Sequence, residues 1–349
     1  METSKKIYVL LVLITTVVVL IFAQSIIIPF ILAVLFWYLI RVIKLIMTKA
    51  KLIARLPEWM LTIISSIFLL SILLMIINII TNNIQQLSDT LPVYLANINN
   101  ITTGLNNQFN FDFNLAFRNF AKNLEFAGIF TGILTALTGI FSNAVTISLY
   151  LLFLILEEKM FPAKFKAMYA SKSEYEKVKN IIGKIDKSII NYIALKTVIS
   201  LITGILSYFT LLFIGVDAPA FWAFLIFILN FIPNIGSLIA TGFPAIFALL
   251  QFGEFKQGIL VLTFVGSIQL VVGNFIEPRI MGNSLNISPL VVIITLVIWG
   301  VMWGITGMLL SVPITVILII IMAEFPSTRR FAVLLSQDGK LNTIENEKI

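Results

Sequence analysis

Long apolar runs, separated by short polar or charged segments, recur along most of the chain. A run of about 17 residues or more is long enough to cross the hydrocarbon core of a bilayer as a helix. The first two runs, 7–22 and 26–40, follow each other almost directly, which is typical of joined membrane helices and not of a signal peptide ahead of a secreted domain. With a third run from Pro57 to Ile80, residues 1–80 are predicted to form N-terminal transmembrane helices.

Two polar segments lie between the later runs and carry helical stripes of apolar residues. Residues 81–126 are rich in Asn and poor in Lys and Arg, as is typical of a non-cytoplasmic segment, and their amphipathic stripe is interrupted or bent near Pro92. That stripe could lie on lipid, pack within the chain or meet a second copy. Residues 157–192 are rich in lysine and predict a basic amphipathic helix at the cytoplasmic membrane face. Between these segments, residues 127–156 predict a further transmembrane helix.

Two apolar stretches in the C-terminal part of the chain, residues 193–323, are interrupted in the middle. Residues 218–250 contain a cluster of Asn, Pro, Gly and Ser, and residues 287–322 contain three closely spaced glycines. Since each stretch is too long for one ordinary span, the pattern predicts two half-helices joined by an unwound tip in each case. Broken helices of this kind are typical of transporter cores, so residues 193–323 are predicted to be the transport core.

The positions of the basic residues predict the orientation of the chain. Clusters of Lys and Arg follow the second run and recur in the tail, residues 324–349, so both termini are expected in the cytoplasm. If the chain is outside near Asp217 and the tail is inside, an odd number of membrane crossings must lie between them. A full span at 258–276, with hairpins entering from opposite sides, satisfies this condition, and hairpins that cross completely satisfy it equally well.

Composition agrees with the hydrophobic pattern and removes several kinds of chemistry. The 349 residues are 59% hydrophobic and 12% charged, whereas a soluble domain carries roughly 25% charged residues. The prediction is an all-α integral membrane protein with six full transmembrane helices, two broken-helix hairpins and amphipathic surface helices. The chain has no Cys and no His, and no phosphate loop or nucleophile motif is visible, so neither an enzyme, a metal site nor a cofactor is expected. The basic residues behind the net charge of +7 cluster next to hydrophobic runs, so they indicate the orientation of the chain and not a nucleic-acid partner.

Neutral polar residues near the two interruptions are the candidates for binding a small polar solute. Half-helix ends add free backbone N–H and C=O groups at the same depth. The alternative is that these side chains only cap the half-helices. The predicted solute-binding residues are Asn230, Pro233, Asn234, Gly236, Ser237, Asn274, Asn283 and Ser288.

Charged residues and glycines complete the set of candidates. Glu277 and Arg279, on either side of Pro278, predict a gate ion pair or a cation-coupled carboxylate, or else charges that set the orientation of the chain. Asp217 is a further ion-coupling candidate, although its position also suits an ordinary outer loop. The glycines could allow close helix packing, a turn or a hinge; they are Gly300, Gly304 and Gly307.

Two long segments resemble the autoinducer-2 exporter-like (AI-2E) family of bacterial membrane permeases. They are FIPNIGSLIATGFPAIFALL (231–250) and NFIEPRIMGNSLNISPLVVIITLVIWGVMWGITGMLLSVPITVILII (274–320). The resemblance implies a helical transporter of about eight membrane segments in the bacterial inner membrane, assembled as a homo-oligomer such as a pentamer. It also implies a divided function, because some members are linked to export of autoinducer-2 and others to sodium or lithium–proton antiport.

Three functions remain open at this point. The first is a secondary transporter of a small polar solute, with autoinducer-2 as one candidate, that exposes its site alternately to the two sides of the bilayer. The second is an Na⁺(Li⁺)/H⁺ antiporter, in which Glu277 exchanges protons for cations. The third is a membrane scaffold or assembly factor that acts through its two polar segments.

Overall fold

The computed structural model describes residues 2–49, 55–109, 132, 135, 138, 139, 142–169, 171–282 and 286–339. All regular secondary structure within these residues is helical, which confirms the all-α prediction. The helices are α1 (Glu2–Phe22), α2 (Gln24–Thr48), α3 (Glu58–Phe109), α4 (Ala144–Glu157), α5 (Phe161–Met168), α6 (Lys172–Ile214), α7 (Pro219–Leu229), α8 (Ile235–Phe252), α9 (Phe255–Val271), α10 (Glu277–Met281), α11 (Pro289–Glu324) and α12 (Arg329–Leu335). A π-helical turn, Val272–Ile276, joins α9 to α10.

Six helices in the described part of the chain are long and apolar enough to cross a membrane. Two shorter apolar helices, α4 and α7, add to them. Many large apolar side chains on these helices are exposed, as surfaces that face lipid require. The six are Gln24–Thr48, Glu58–Asn83, Lys172–Ile214, Ile235–Phe252, Phe255–Met281 and Pro289–Glu324, and they confirm an integral membrane protein.

Two helices run through boundaries that the sequence pattern assigns to separate elements. The pattern ends a membrane helix at Ile80, whereas α3 continues from Glu58 to Phe109 and passes Pro92 without ending. Likewise, α6 continues from the basic segment into the apolar span that ends at Ile214. A change from polar to apolar side chains leaves the backbone hydrogen bonds of a helix intact. The change in composition therefore does not coincide with a helix end.

The chain divides into two compact units, each assembled from separate stretches of sequence. The first unit contains Met1–Ile46, Gly132–Ile190 and Leu285–Ile349. The second contains Met47–Thr131 and Asn191–Ser284. The segments expected from sequence are continuous stretches, so their boundaries as domains stay a prediction.

In the first unit, α2 packs against α4. Leu32 and Ala33 on α2 meet Ile147 on α4, and all three are buried. Aromatic side chains extend this contact, since the rings of Phe30 and Tyr150 meet edge to face at 5.7 Å. Helix α4 is the described part of the span expected at residues 127–156, most of whose first half lies outside the described residues.

The second unit contains a hairpin of α7 and α8, called hairpin A. Its open end is closed by the Gln251 side chain, whose Nε2 donates to the carbonyl of Gly215 at 2.9 Å and whose Oε1 accepts from the Asp217 N–H at 2.7 Å. At its tip, Gly236 packs against the carbonyl of Leu229, where a Cβ atom would be 1.8 Å from the oxygen. The start of α7 and the end of α8 therefore lie together, as the interruption in residues 218–250 predicts.

The first unit contains a second hairpin, formed by α11 alone and called hairpin B. Trp303 (φ −131°) and Gly304 (φ +62°, ψ −145°) leave the helical region, and the chain reverses there. The carbonyl of Trp299 consequently lies against Gly307, whereas eight residues of straight helix would separate them by about 12 Å. At the open end, the N–H of Ser288 donates to the carbonyl of Leu335 at 3.0 Å. This closed base confirms the second broken helix.

Candidate functional site

A buried ion pair joins α6 to α10 within the second unit. Nζ of Lys196 lies 2.5 Å from Oε1 of Glu277, and their side chains are 5% and 25% exposed. An isolated ammonium in a low-dielectric interior is costly, so a lysine buried to this degree needs a counter-charge. Glu277 supplies that charge.

The π-helical turn sets the position of Glu277. The N–H of Glu277 donates to the carbonyl of Val272, five residues earlier. Pro278 follows directly and has no N–H with which to continue the helical hydrogen bonds. A π turn adds one residue to a helical turn and changes the direction of the side chains that follow, and such turns are frequent at functional sites. The sequence around Pro278 thus gives Glu277 a direction that a regular helix would not.

Lys196 is the first of four buried polar residues on one face of α6. Ser200, Thr203 and Ser207 follow at spacings of four, three and four residues, which place them on the same side of a helix, and all three are fully buried. The apolar half of α6 around them belongs to a candidate membrane span. Polar side chains at membrane depth face protein or water. We call these four residues the polar face of α6.

The hydrogen bonds of the polar face are incomplete. Nδ2 of Asn230, at the end of α7, donates to Oγ of Ser200 at 3.0 Å. The buried polar atoms in this unit that have no hydrogen-bond partner among the residues that the structure describes include two on α6, the Tyr192 hydroxyl and Oγ of Ser207, and Nε2 of Gln269 on α9. Because an unpartnered buried polar atom costs about 1–3 kcal/mol, a bound solute or water along this face would stabilise it.

The solute-binding candidates of hairpin A fall into two groups. Asn230 is buried on the polar face, whereas Pro233 and Asn234 lie in the turn, with Asn234 exposed at φ +56°. Ser237 donates from Oγ to the carbonyl of Asn234 at 2.8 Å, so its hydroxyl acts as a local cap. Gly236 is the residue at which the arms approach most closely. The structure therefore brings Asn230 alone of this group to the ion-paired helix.

The remaining solute-binding candidates belong to other parts of the chain. Asn274 lies in the π turn with its side chain exposed. Asn283 lies outside the described residues. Ser288 belongs to the first unit, where its backbone begins hairpin B.

The three charged candidates do not form one site either. Glu277 pairs with Lys196, while Arg279 is exposed and makes no ion pair with any acidic residue that the structure describes. Asp217 lies beyond the far end of α6, and the rise of the helix from Lys196 to Ile214 is about 27 Å. Asp217 and Glu277 therefore do not form one ion site.

The three glycines occupy the tip of hairpin B. Gly304 has φ +62°, a region that other residues rarely adopt, and it makes the turn. A Cβ on Gly307 would lie 1.9 Å from the carbonyl oxygen of Trp299, whereas a Cβ on Gly300 would meet only the end of the Met308 side chain, at 2.8 Å. The tip also contacts α1, because Nε1 of Trp303 donates to the carbonyl of Leu20 at 3.0 Å.

Sequence reasoning missed the polar face of α6. In the sequence, Lys196 is interpreted as the last of many cytoplasmic lysines, and its partner Glu277 is 81 residues away. One signal was available, because a lysine, two serines and a threonine recur at helical spacing inside an apolar run. That periodicity predicts a polar stripe on one helix face.

A second charged cluster lies in the first unit. Arg41 on α2 forms a two-nitrogen ion pair with Asp186 on α6, and its Nε is 3.7 Å from Oε1 of Glu158. Nε1 of Trp37 donates to the other oxygen of Glu158 at 3.0 Å, and the Arg41 guanidinium stacks over the Trp37 ring at 4.9 Å. The cluster links α2, α6 and the end of α4. Its charges are mutually satisfied, which suits a structural role.

Comparison with known proteins gives the family and agrees with this geometry. The family model described as "AI-2E family transporter" matches residues 10–327. A protein of Haemophilus influenzae, whose name proposes transport without a substrate, is 32% identical over 321 residues, covering 90% of each chain. The AI-2 transport protein TqsA of Escherichia coli K12 is 41% identical over 212 residues, which are 61% of this chain and 60% of TqsA.

A more distant relative has a different activity in its name. The sodium-lithium/proton antiporter of Halobacillus andaensis is 25% identical over 128 residues, which are 37% of this chain and 36% of that protein. The family model and the relative from H. influenzae both extend over nearly the whole chain. The chain therefore belongs to the AI-2E family of bacterial membrane transporters.

Proposed function

We propose that the chain moves a small polar solute along the polar face of α6, with the Lys196–Glu277 ion pair as a gate at one end of the path. The observation that carries this proposal is a buried polar face in a membrane span that begins at a buried ion pair. Four polar side chains that served no function would destabilise such a helix, because each side chain loses its hydration at membrane depth.

The chemistry of the face suits a neutral, hydroxylated solute. Ser200 and Asn230 present hydroxyl and amide groups, and the Tyr192 hydroxyl and Ser207 Oγ have no partner among the described residues and can bond a ligand. Such groups can donate to or accept from a polyol without a change of charge. The name of TqsA makes autoinducer-2 the first solute to test.

Alternating access is the mechanism that we propose for this path. Opening the Lys196–Glu277 pair would expose the polar face on one side of the bilayer, and re-forming it would close that side. The tip of hairpin A lies close to the path through Asn230 and is suited to act as the second barrier. In this arrangement the solute supplies the hydrogen bonds that the closed state leaves unmade.

The family and the charge distribution support a proposal for the orientation and location of the transporter. We place both termini in the cytoplasm and the protein in the bacterial inner membrane, since basic clusters flank the first helix pair and the C-terminal tail. We also propose a homo-oligomer, such as a pentamer.

Flux measurements with purified protein in vesicles test the proposal. Vesicles loaded with autoinducer-2 should lose it faster with the protein than without it. Glu277→Gln and Lys196→Met should each lower this flux at least about tenfold, because each leaves a buried charge unpaired and locks or distorts the gate. The exchange variant Lys196→Glu/Glu277→Lys should recover part of the flux.

Matched controls identify the path. Ser200→Ala and Ser207→Ala should lower the flux, whereas Ile205→Ala, on the exposed side of the same helix, should not. Equal flux in the Ile205, Ser200 and Ser207 variants would contradict a path along the polar face. Intact flux in all variants of the ion pair would remove its role as a gate.

A second candidate, Na⁺(Li⁺)/H⁺ antiport, is favoured by one observation. The Glu277 carboxylate is held by a single ammonium and is a quarter exposed, so a small cation could replace Lys196 as its counter-charge. The name of the H. andaensis relative agrees with this chemistry. Sodium-driven proton movement in vesicles that is abolished by Glu277→Gln, together with no flux of autoinducer-2, would establish antiport in place of solute export.

A further inference from the structure

A basic pocket lies where α11 ends and α12 begins, in the first unit. The pocket has a volume of about 360 Å³ and is lined by Ala323, Glu324, Pro326, Arg329, Arg330 and Val333. Both arginines are exposed, and neither forms an ion pair with an acidic residue in the described ranges. Two arginines therefore line one cavity.

The acidic residue of the pocket does not cancel these charges. Oε1 of Glu324 lies 2.7 Å from Nζ of Lys184, on the part of α6 that belongs to the same unit. Glu324 is thus already matched by a positive charge. The pocket keeps an excess of two positive charges, which attract an anion, and a guanidinium fork matches the oxygens of a phosphate.

The helix that carries the arginines is held in place and not left as a loose tail. Ala332 is fully buried, and the carbonyl of Leu335 accepts from the Ser288 N–H at 3.0 Å. Oγ1 of Thr328 donates to the carbonyl of Met322 at 2.9 Å and so fixes the turn between α11 and α12. A fixed backbone keeps the two arginines at the same cavity before any ligand binds.

The helix that carries the arginines also exposes apolar side chains. Phe331 is 58% exposed and Leu334 is 75% exposed, and Phe325, just after α11, is 51% exposed. Helix α11, which ends at Glu324, is a candidate membrane span, so these side chains follow closely in sequence on the end of a membrane element. Apolar side chains beside arginines at such a position are suited to insertion between acyl chains.

We propose that this pocket binds the phosphate headgroup of an anionic phospholipid, with the acyl chains against the exposed Phe331 and Leu334 of the same helix. A dissolved phosphate ion would use the arginines but would leave these apolar side chains exposed to water. The lipid accounts for both features, since its headgroup carries the negative charge and its chains cover the apolar side chains. The site does not depend on which solute the transporter moves.

Native mass spectrometry of the delipidated full chain in detergent tests this site. Phosphatidylglycerol should bind more tightly than phosphatidylcholine with the same acyl chains. Arg329→Gln/Arg330→Gln should weaken phosphatidylglycerol binding by roughly 10- to 30-fold, because two charges near the headgroup are lost. Arg329→Lys/Arg330→Lys, which keeps the charge and loses the fork, should fall between the wild type and the glutamine variant.

The control variant Lys172→Gln/Lys177→Gln removes two exposed positive charges from α6 and should leave the binding unchanged. Phe331→Ser/Leu334→Ser should weaken lipid binding without changing the charge. An equal loss in the control would overturn the proposal, as would equal binding of the two lipids. Displacement of the lipid by inorganic phosphate at a similar concentration would assign the pocket to a free anion instead.

Discussion

Gly236 lies directly against the backbone carbonyl of Leu229, seven residues earlier in the chain. A Cβ atom at this position would be 1.8 Å from the oxygen of Leu229 and 3.0 Å from Cβ of Ile232. Hairpin B has the same feature, since Gly307 lies against the carbonyl of Trp299. Each hairpin thus has a glycine just after its turn, because two backbone segments meet there without room for a side chain.

The tip of hairpin A should therefore not tolerate alanine. Gly236→Ala forces backbone against backbone, and we expect it to lower the free energy of unfolding by about 3 kcal/mol or more. Gly242→Ala is the matched control on α8, where a Cβ would meet nothing within 4 Å, and it should be neutral or slightly stabilising. Thermal unfolding of the two variants in detergent checks the difference. Equal melting temperatures would mean that the hairpin does not close as described.

Hairpin B offers the same comparison within one tip. Gly307→Ala places a Cβ 1.9 Å from a backbone oxygen, while Gly300→Ala meets the flexible end of Met308 at 2.8 Å. The first change should cost about 3 kcal/mol or more, and the second about 1 kcal/mol or less, because a methionine side chain can move aside. Thermal unfolding again gives the measurement. The reverse order of the two effects would contradict the turn at Gly304.

Sequence was sufficient to predict the hairpins because their causes are local. Asn, Pro and Gly side by side interrupt an apolar run wherever the run is placed, and the three glycines of hairpin B do the same. The polar face of α6 was missed because its meaning depends on contacts across the fold. Lys196 lies at the end of a lysine-rich segment, and no spacing in the sequence links it to Glu277.

Helix boundaries illustrate a second limit of sequence reasoning. Residues 172–192 and 193–214 differ in composition because they meet different surroundings, yet they form one helix. Composition reports what surrounds a helix, whereas its ends depend on caps and backbone breaks. The same reasoning applies to α3, in which no break separates the apolar part from the Asn-rich part.

The base of hairpin A should depend on the Gln251 amide. Gln251→Leu removes a hydrogen bond to the Gly215 carbonyl and another from the Asp217 N–H, and should cost about 1–3 kcal/mol. Gln257→Leu is the matched control, because Oε1 of Gln257 is buried without a partner among the described residues and its removal should be neutral or stabilising. Hydrogen exchange at the Asp217 amide should rise in the first variant and not in the second. Slow exchange in both would show that another group closes the base.

Arg41 should not be replaceable by lysine. Its guanidinium meets both oxygens of Asp186, approaches Glu158 and stacks on Trp37 at 4.9 Å, and a single ammonium cannot make these contacts together. We expect Arg41→Lys to lower the free energy of unfolding by about 1–2 kcal/mol. Arg41→Met should cost more, about 3 kcal/mol, because it leaves two half-buried carboxylates without their counter-charge.

The ion pair between Lys164 and Glu157 is the matched control for Arg41. It lies in the same unit at 2.5 Å, but its side chains are 56% and 44% exposed, so Lys164→Met should cost less than about 1 kcal/mol. Added salt should reduce the small effect at Lys164 further and leave most of the Arg41 effect, since the half-buried cluster is screened less. Thermal unfolding at low and high salt gives both comparisons. A loss at Arg41 that vanishes in high salt would show that the cluster is as open to solvent as the exposed pair.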